Sequence, residues 1–142
     1  MTVVLDAYAL IAALVGERAR ADVEPLIAEG VLAAPNAAEV LDVCVRVHGN
    51  AERIVRERLG WLVAGGLELA PLGPELALAA GALRARYYRR RQCEISQGDC
   101  FALALAADRQ LPLATSDPDL ASVARAEKVK VIGLPDSRGR RP

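Results

Sequence analysis

Apolar and polar positions along the chain follow two rhythms in alternation. Short, mainly apolar runs at Val3 to Leu5, Val31 to Ala34, Leu67 to Leu72, Leu111 to Thr115 and Val129 to Ile132 suit strands of a buried sheet. Between them the apolar residues recur at helical spacing. Tyr8 to Val15 predicts one helix, and Ala21 to Ala28 a second, with Gly30 as its C-terminal cap. Asn36 is a candidate N-cap for a third helix running to Val47 and closed by His48-Gly49. Ala51 to Val63 places Ile54, Val55, Leu59, Leu62 and Val63 at helical intervals, and Gly65-Gly66 stops it. Pro74 suits the first turn of a long helix through Leu76, Ala79, Ala80 and Leu83 to about Arg90. Gln92-Cys93-Glu94 reads as a loop, Ser96 as the cap of a helix spanning Phe101 to Ala107, and Leu120 to Ala126 as the last helix. Strands alternating with helices in this way predict an α/β fold, a mostly parallel sheet covered by helices.

Four acidic residues stand where this pattern changes from strand to helix, or in the first turn of a helix. Asp6 ends the first apolar run, Glu39 follows the second by a few residues, Asp99 opens the stretch Cys100 to Ala107, and Asp117 follows Leu113-Ala114-Thr115-Ser116. In a parallel sheet such residues point into one crevice at the carboxyl ends of the strands. Crowded carboxylates repel one another, and a hard divalent cation that prefers oxygen is the usual resolution. Two of the four also fit a purely local role. Glu39 lies three residues after Asn36, and Asp99 three after Ser96, the spacing of a capping box. Asp117 suits the cap of the following helix, with Asp119 as a rival fourth acid; its place nearer the strand end favours Asp117.

Composition narrows the picture. A chain of 142 residues with 53% hydrophobic content can close one core without disulfides, so one domain is expected over residues 1–136, with 137–142 a polar, basic, fraying tail. Cys44, Cys93 and Cys100 are odd in number and lack a metal-type spacing, as expected of reduced thiols in the cytoplasm. The apolar N-terminus has no basic stretch before it and is interrupted by Asp6, which argues against export or a membrane span. With a formal net charge of zero, a polyanion must be held by a local patch rather than by the overall field.

The four acids lie in segments that carry a resemblance. Val3-Val4-Leu5-Asp6-Ala7-Tyr8-Ala9-Leu10, Pro35-Asn36-Ala37-Ala38-Glu39-Val40-Leu41, Ile95-Ser96-Gln97-Gly98-Asp99-Cys100-Phe101-Ala102 and Leu113-Ala114-Thr115-Ser116-Asp117-Pro118-Asp119-Leu120 resemble the four acidic motifs of the PIN domain, in the family's order. Gln97-Gly98 replaces a pair that is commonly apolar or small, and Ser116 a frequent glycine. Among PIN proteins the chain is most similar to the VapC-type ribonuclease toxins. The resemblance implies a three-layer α/β/α sandwich, a ribonuclease that uses Mg²⁺ or Mn²⁺, a homodimer, and a cognate antitoxin that covers the crevice and the nearby apolar helices.

The residues support such chemistry independently. Phosphodiester hydrolysis builds negative charge on the phosphate oxygens and needs water to lose a proton, and one or two divalent ions can serve both needs. His48 is the only histidine and suits a helix end, so paired-imidazole catalysis has no second partner. Asp6 and Asp99 are therefore the expected principal metal ligands and Asp117 a third. Glu39 is expected to bind through water or to receive the water's proton, while Tyr8, Thr115 and Ser116 orient water or phosphate. Arg84, Arg86, Arg89, Arg90 and Arg91, interleaved with Tyr87 and Tyr88, precede the Asp99 segment. Guanidinium beside tyrosine suits phosphate contact and base stacking, which makes Arg89, Arg90 and Arg91 candidate RNA-binding residues, against the alternative of a solvated helix face. Trp61 and the early Ala/Leu-rich helices suit core or interface.

Other classes fit less well. A haloacid dehalogenase phosphatase needs D-x-D where this chain has Asp6-Ala7-Tyr8, and a phosphorelay receiver needs a lysine at a late strand end, whereas Lys128 and Lys130 flank the start of the last strand. No G-x-S-x-G, H-E-x-x-H or Walker A pattern occurs. A noncatalytic PIN-like module binding RNA or protein remains the alternative, and the intact acidic quartet speaks against it.

Overall fold

In the computed structural model, which describes residues Met1–Pro142, strand β1 (Val3–Leu5) passes through Asp6 into α1 (Ala7–Val15). There follow α2 (Arg20–Ile27), β2 (Gly30–Ala33), α3 (Ala34–Arg46), α4 (Glu52–Ala64), β3 (Glu68–Ala70), α5 (Pro74–Tyr87), α6 (Gln97–Arg109), β4 (Leu113–Thr115), α7 (Pro118–Ala126) and β5 (Val131–Gly133). The five strands form one sheet in the order β3-β2-β1-β4-β5, and every neighbouring pair is parallel. β1 is central. Val3 and Val4 pair with Gly30 and Val31 of β2 on one side, and Val4 and Leu5 with Leu113 and Ala114 of β4 on the other. The chain winds outward from β1 in both directions, so a topological switch point lies between β1 and β4.

Because successive strand residues face opposite sides, the sheet divides the apolar residues into two cores. Val3, Leu5, Leu32 and Ala114 pack with Leu10, Val23, Val40 and Val55 from α1 to α4. Val4, Val31, Ala33 and Leu113 pack with Ala80, Leu83, Leu103 and Leu120 from α5 to α7. This is the expected three-layer α/β/α arrangement, and it is why the strands read as unbroken apolar runs. No disulfide contributes: all three cysteines are free, and Cys44 and Cys100 are buried as ordinary core residues.

Several element ends differ from the sequence expectation for identifiable reasons. Gly30 does not cap α2 but opens β2, where a Cβ would stand 2.9 Å from Leu5 Cδ1. Asn36 does not cap α3: the helix begins at Ala34 with Ala33 as its cap, so Asn36 lies within the first turn and its side chain is free for a tertiary contact. β3 is held to Glu68–Ala70, with Pro71 following as a residue that has no backbone N–H. α5 stops at Tyr87, short of Arg90. There Arg84 Nε donates to Ile95 O at 3.1 Å with its guanidinium over the Tyr88 ring, and the chain closes a tight turn bridged between Arg89 and Cys93. The tail expected to fray is folded against the body: Arg141 Nη2 donates to Asp22 Oδ1 at 2.8 Å and its Nη1 to Gly133 O at 2.7 Å. No helix is long and apolar enough to cross a membrane.

Candidate active site

The four sequence-selected acids meet in one place. Asp6, Glu39, Asp99 and Asp117 all line an open cleft of about 570 Å³ at the carboxyl edge of the sheet, beside the switch point between β1 and β4. Asp6 follows the last residue of β1, Asp117 follows β4 by two, Glu39 comes from α3, and Asp99 from the first turn of α6.

Each aspartate is fixed by the helix it opens. Asp6 caps α1, its Oδ1 accepting from Ala9 N at 2.8 Å. Asp117 caps α7, its Oδ1 accepting from Asp119 N at 2.8 Å and Leu120 N at 3.2 Å. Ser96 and Asp99 form the capping box that their spacing predicts, with Ser96 N donating to Asp99 Oδ2 at 2.8 Å and Asp99 N to Ser96 Oγ at 3.0 Å. Capping and cleft lining therefore coexist in the same carboxylates. The second expected box, Asn36 with Glu39, does not form. Instead Asn36 Nδ2 crosses to Gly98 O at 2.9 Å, joining α3 to the start of α6 from a side chain only 1% exposed. Its Oδ1 is buried without a partner.

Gly98 is explained by the same contact. A Cβ there would fall 2.7 Å from Glu39 Oε2, so the small residue lets Glu39 lie against the turn that carries Asp99.

The electrostatics bear the marks of crowding. Burial, with contributions from Asp99 and Asp117, raises the Asp6 carboxyl to about 7, against the lowering effect of hydrogen bonds from Thr115 and Ala9. Burial likewise raises Asp99 to about 6, with Asp117 and Glu39 adding to the shift and the Ser96 hydrogen bonds opposing it. Thr115 stands beside two of the acids: its hydroxyl accepts from Asp117 N at 3.0 Å and its nearness opposes the rise at Asp6. Ser116 lines the cleft. Tyr8 lines it too, but its hydroxyl donates to Glu17 Oε2 at 2.5 Å, and burial with that bond pushes its pKa up to about 12. As placed, the Tyr8 hydroxyl is committed to Glu17 rather than to water or phosphate. His48 lies just past α3, with Nε2 3.9 Å from Glu17 Oε1 and away from the acids, as its helix-end reading implied.

An oxygen-only donor set fits a hard divalent cation. No three acidic side chains, however, converge into a ready-made ligand group. The expected trio of direct ligands, Asp6, Asp99 and Asp117, thus lines one cleft without closing around a common point, each held by its own cap.

Asp119 is not part of the lining; its Oδ2 accepts from Glu94 N at 2.9 Å. Asp136 and Glu94 line the cleft unannounced. Asp136 follows the end of β5 by three residues, the same strand-end signal that marks Asp6 and Asp117. Burial pushes the Cys100 thiol, next to Asp99, up to about 11, which makes it a packing residue rather than a nucleophile. The arginine cluster divides: Arg84 holds Ile95 O, Arg86 pairs with Glu127 at 2.8 Å, and Arg89, Arg90 and Arg91 are exposed on the turn outside the cleft lining.

The chain also matches the family model of the PIN domain over residues 3–126, and it belongs to that family. No curated protein matches the sequence. Among solved structures it is similar to FitAcB from Neisseria gonorrhoeae, at 23% identity over 92% of this chain and 96% of that one, with a TM-score of 0.64. It is also similar to VapBC2 from Rickettsia felis bound to a DNA fragment from their promoter (14% identity, 94% and 99% covered, TM-score 0.69). A third is VapC20 from Mycobacterium tuberculosis, described as a Sarcin-Ricin loop cleaving toxin (14% identity, 85% and 94% covered, TM-score 0.68). At such identities the likeness establishes the fold.

Proposed function

We propose that this PIN-domain chain is a divalent-cation-dependent endoribonuclease that serves as the toxin of a type II toxin-antitoxin pair. The observation that carries the catalytic reading is the meeting of Asp6, Glu39, Asp99 and Asp117 in one cleft, with Asp6 and Asp99 raised by burial and by their acidic neighbours. A protein has little reason to maintain such repulsion unless a cation offsets it. Asp6, Asp99 and Asp117 are the residues to hold Mg²⁺ or Mn²⁺, directly or through water. The bound ion supplies Lewis-acid stabilisation of phosphate charge and a more acidic water. In this reading Glu39, which lies against Gly98, receives the water's proton, and Thr115 steadies Asp117.

The toxin reading draws on the fold shared with toxins solved in complex with their partners. It also draws on a largely apolar groove of about 360 Å³ bounded by Leu14, Ile27, Trp61 and Leu62, where Trp61 is 65% exposed. That surface suits an antitoxin segment or the second subunit of a homodimer.

Purified protein should cleave single-stranded RNA with Mg²⁺ or Mn²⁺ and lose this activity in EDTA, and Asp99→Asn should lose it in either metal. Unchanged cleavage by Asp99→Asn would overturn the site. RNA binding without cleavage under all metals would favour the noncatalytic module. Growth arrest on expression, relieved by the product of an adjacent reading frame, tests the toxin role.

A further inference from the structure

Next to the acidic cleft is a smaller hollow of about 250 Å³, lined by a serine, two prolines and three charged side chains. Ser116, Pro118 and Asp136 line both, so the two spaces are neighbours that share part of one wall. Arg140 and Arg141 complete the wall of the second. Carboxylates thus dominate one space and guanidinium groups stand in the next.

These arginines are positioned rather than loose. Arg140 N donates to Asp136 Oδ1 at 2.9 Å and its Nε to Asp136 Oδ2 at 3.0 Å, a short loop closed on one carboxylate. Those bonds hold Asp136 below the usual carboxylate range, so it stays charged and keeps its grip. Arg141 is tied to Asp22 and to Gly133 O, and Arg125 donates to Pro142 O at 3.1 Å. A guanidinium has five N–H donors, and the Arg140 side chain remains 69% exposed within its pair. Its Nη2 also stands 2.9 Å from Asp136 Oδ2, which leaves Nη1 for an anion.

A polynucleotide carries a negative charge at every nucleotide. When one phosphate enters a cleft of six carboxylates beside a cation, the next must lie on adjoining protein surface, where uncompensated carboxylates would repel it. The Arg140 hollow is the adjoining surface where guanidinium groups are held in place, Arg140 by Asp136 and Arg141 by Asp22, and it shares a wall with the cleft. We propose that this hollow seats the RNA phosphate flanking the one in the acidic cleft, with Arg140 as its main contact and Arg141 framing it. The proposal rests on the ribonuclease reading above and shifts the principal RNA contact from the Arg89 to Arg91 turn to the C-terminal loop.

The test compares Arg140→Ala, Arg140→Lys and Arg138→Ala. Arg138 carries the same charge two residues away but lines neither space. Binding of a labelled single-stranded oligouridine is measured across a salt series with Ca²⁺ replacing Mg²⁺, beside cleavage of a uridine dinucleotide with Mg²⁺. Arg140→Ala should weaken oligouridine binding about five- to tenfold and flatten the log–log salt slope by about 0.7, the value of one phosphate contact on a single strand. Arg140→Lys should keep the slope, Arg138→Ala should leave dinucleotide cleavage unchanged, and the loss in Arg140→Ala should be larger for oligouridine binding than for cleavage of the dinucleotide, which has no flanking phosphate. Equal losses in Arg138→Ala and Arg140→Ala would mean a diffuse field and overturn the proposal. Wild-type affinity and slope in Arg140→Ala would overturn it while leaving the ribonuclease standing. A wild-type protein that neither binds nor cleaves RNA would remove both.

Discussion

Replacing Asp6 by asparagine removes a buried charge while keeping its shape, and the structure gives the expected size of the effect. Asp6 is 3% exposed and its carboxyl is held at about 7, raised from 3.8 mainly by burial. In the unfolded chain the same carboxyl ionises near pH 4. Between those values the folded protein binds the extra proton. The resulting contribution is fully present below about pH 4 and is lost as pH rises through 7. A shift of about three units at 1.36 kcal/mol each makes the ionised carboxylate a liability of about 4 kcal/mol at pH 8. The substituted side chain would carry no charge, and its amide oxygen can still accept the Ala9 N–H, since asparagine is as good a cap as aspartate. In EDTA at pH 8, Asp6→Asn should therefore be more stable than wild type by about 2–4 kcal/mol, or about 5–15 °C in melting temperature. At pH 4 the two should agree within about 1 kcal/mol. Urea denaturation followed by circular dichroism from pH 4 to 8 measures this. Parallel pH curves for the two proteins, or a variant less stable at pH 8, would refute the claim that Asp6 is a strained buried acid. Millimolar Mg²⁺ should narrow the gap by stabilising the wild type alone.

Gly98→Ala should leave the melting temperature within about 3 °C, because Glu39 can swing away, yet cut cleavage at least about tenfold by displacing that carboxylate; normal kcat in a correctly folded variant would count against a role for Glu39. Asn36→Ala should cost about 1–3 kcal/mol in urea denaturation by orphaning Gly98 O and loosening α3 from α6, and an effect below about 0.5 kcal/mol would show that water replaces the bond without loss. Substituting Arg89, Arg90 and Arg91 together by Ala should leave stability unchanged, since all three are exposed, and should weaken oligouridine binding less than Arg140→Ala does; a larger loss would return the RNA path to that turn.

The sequence by itself determined the layering. Apolar runs at Val3 to Leu5 and around Leu113, separated by helical periods, admit little other than a buried parallel sheet, because only strands covered on both faces lack an exposed polar side. It also marked the four acids, Asp6 and Asp117 by their place just after a strand and Glu39 and Asp99 by theirs early in a helix. What it left open depended on contacts between distant segments. Asn36 and Glu39 have the spacing of a cap, but the start of α3 at Ala34 moves Asn36 inside the helix, where its partner is Gly98, far along the chain. Tyr8 is close to Asp6 in every reading, yet only the fold shows that Glu17 takes its hydroxyl. The basic tail looks like solvated charge until Asp22, Asp136 and Gly133 O are brought beneath it. Local pattern fixes which elements form, because propensity and burial act over a few residues. Which side chain satisfies which is decided by packing, and packing alone placed Arg140 in the hollow next to the acidic cleft.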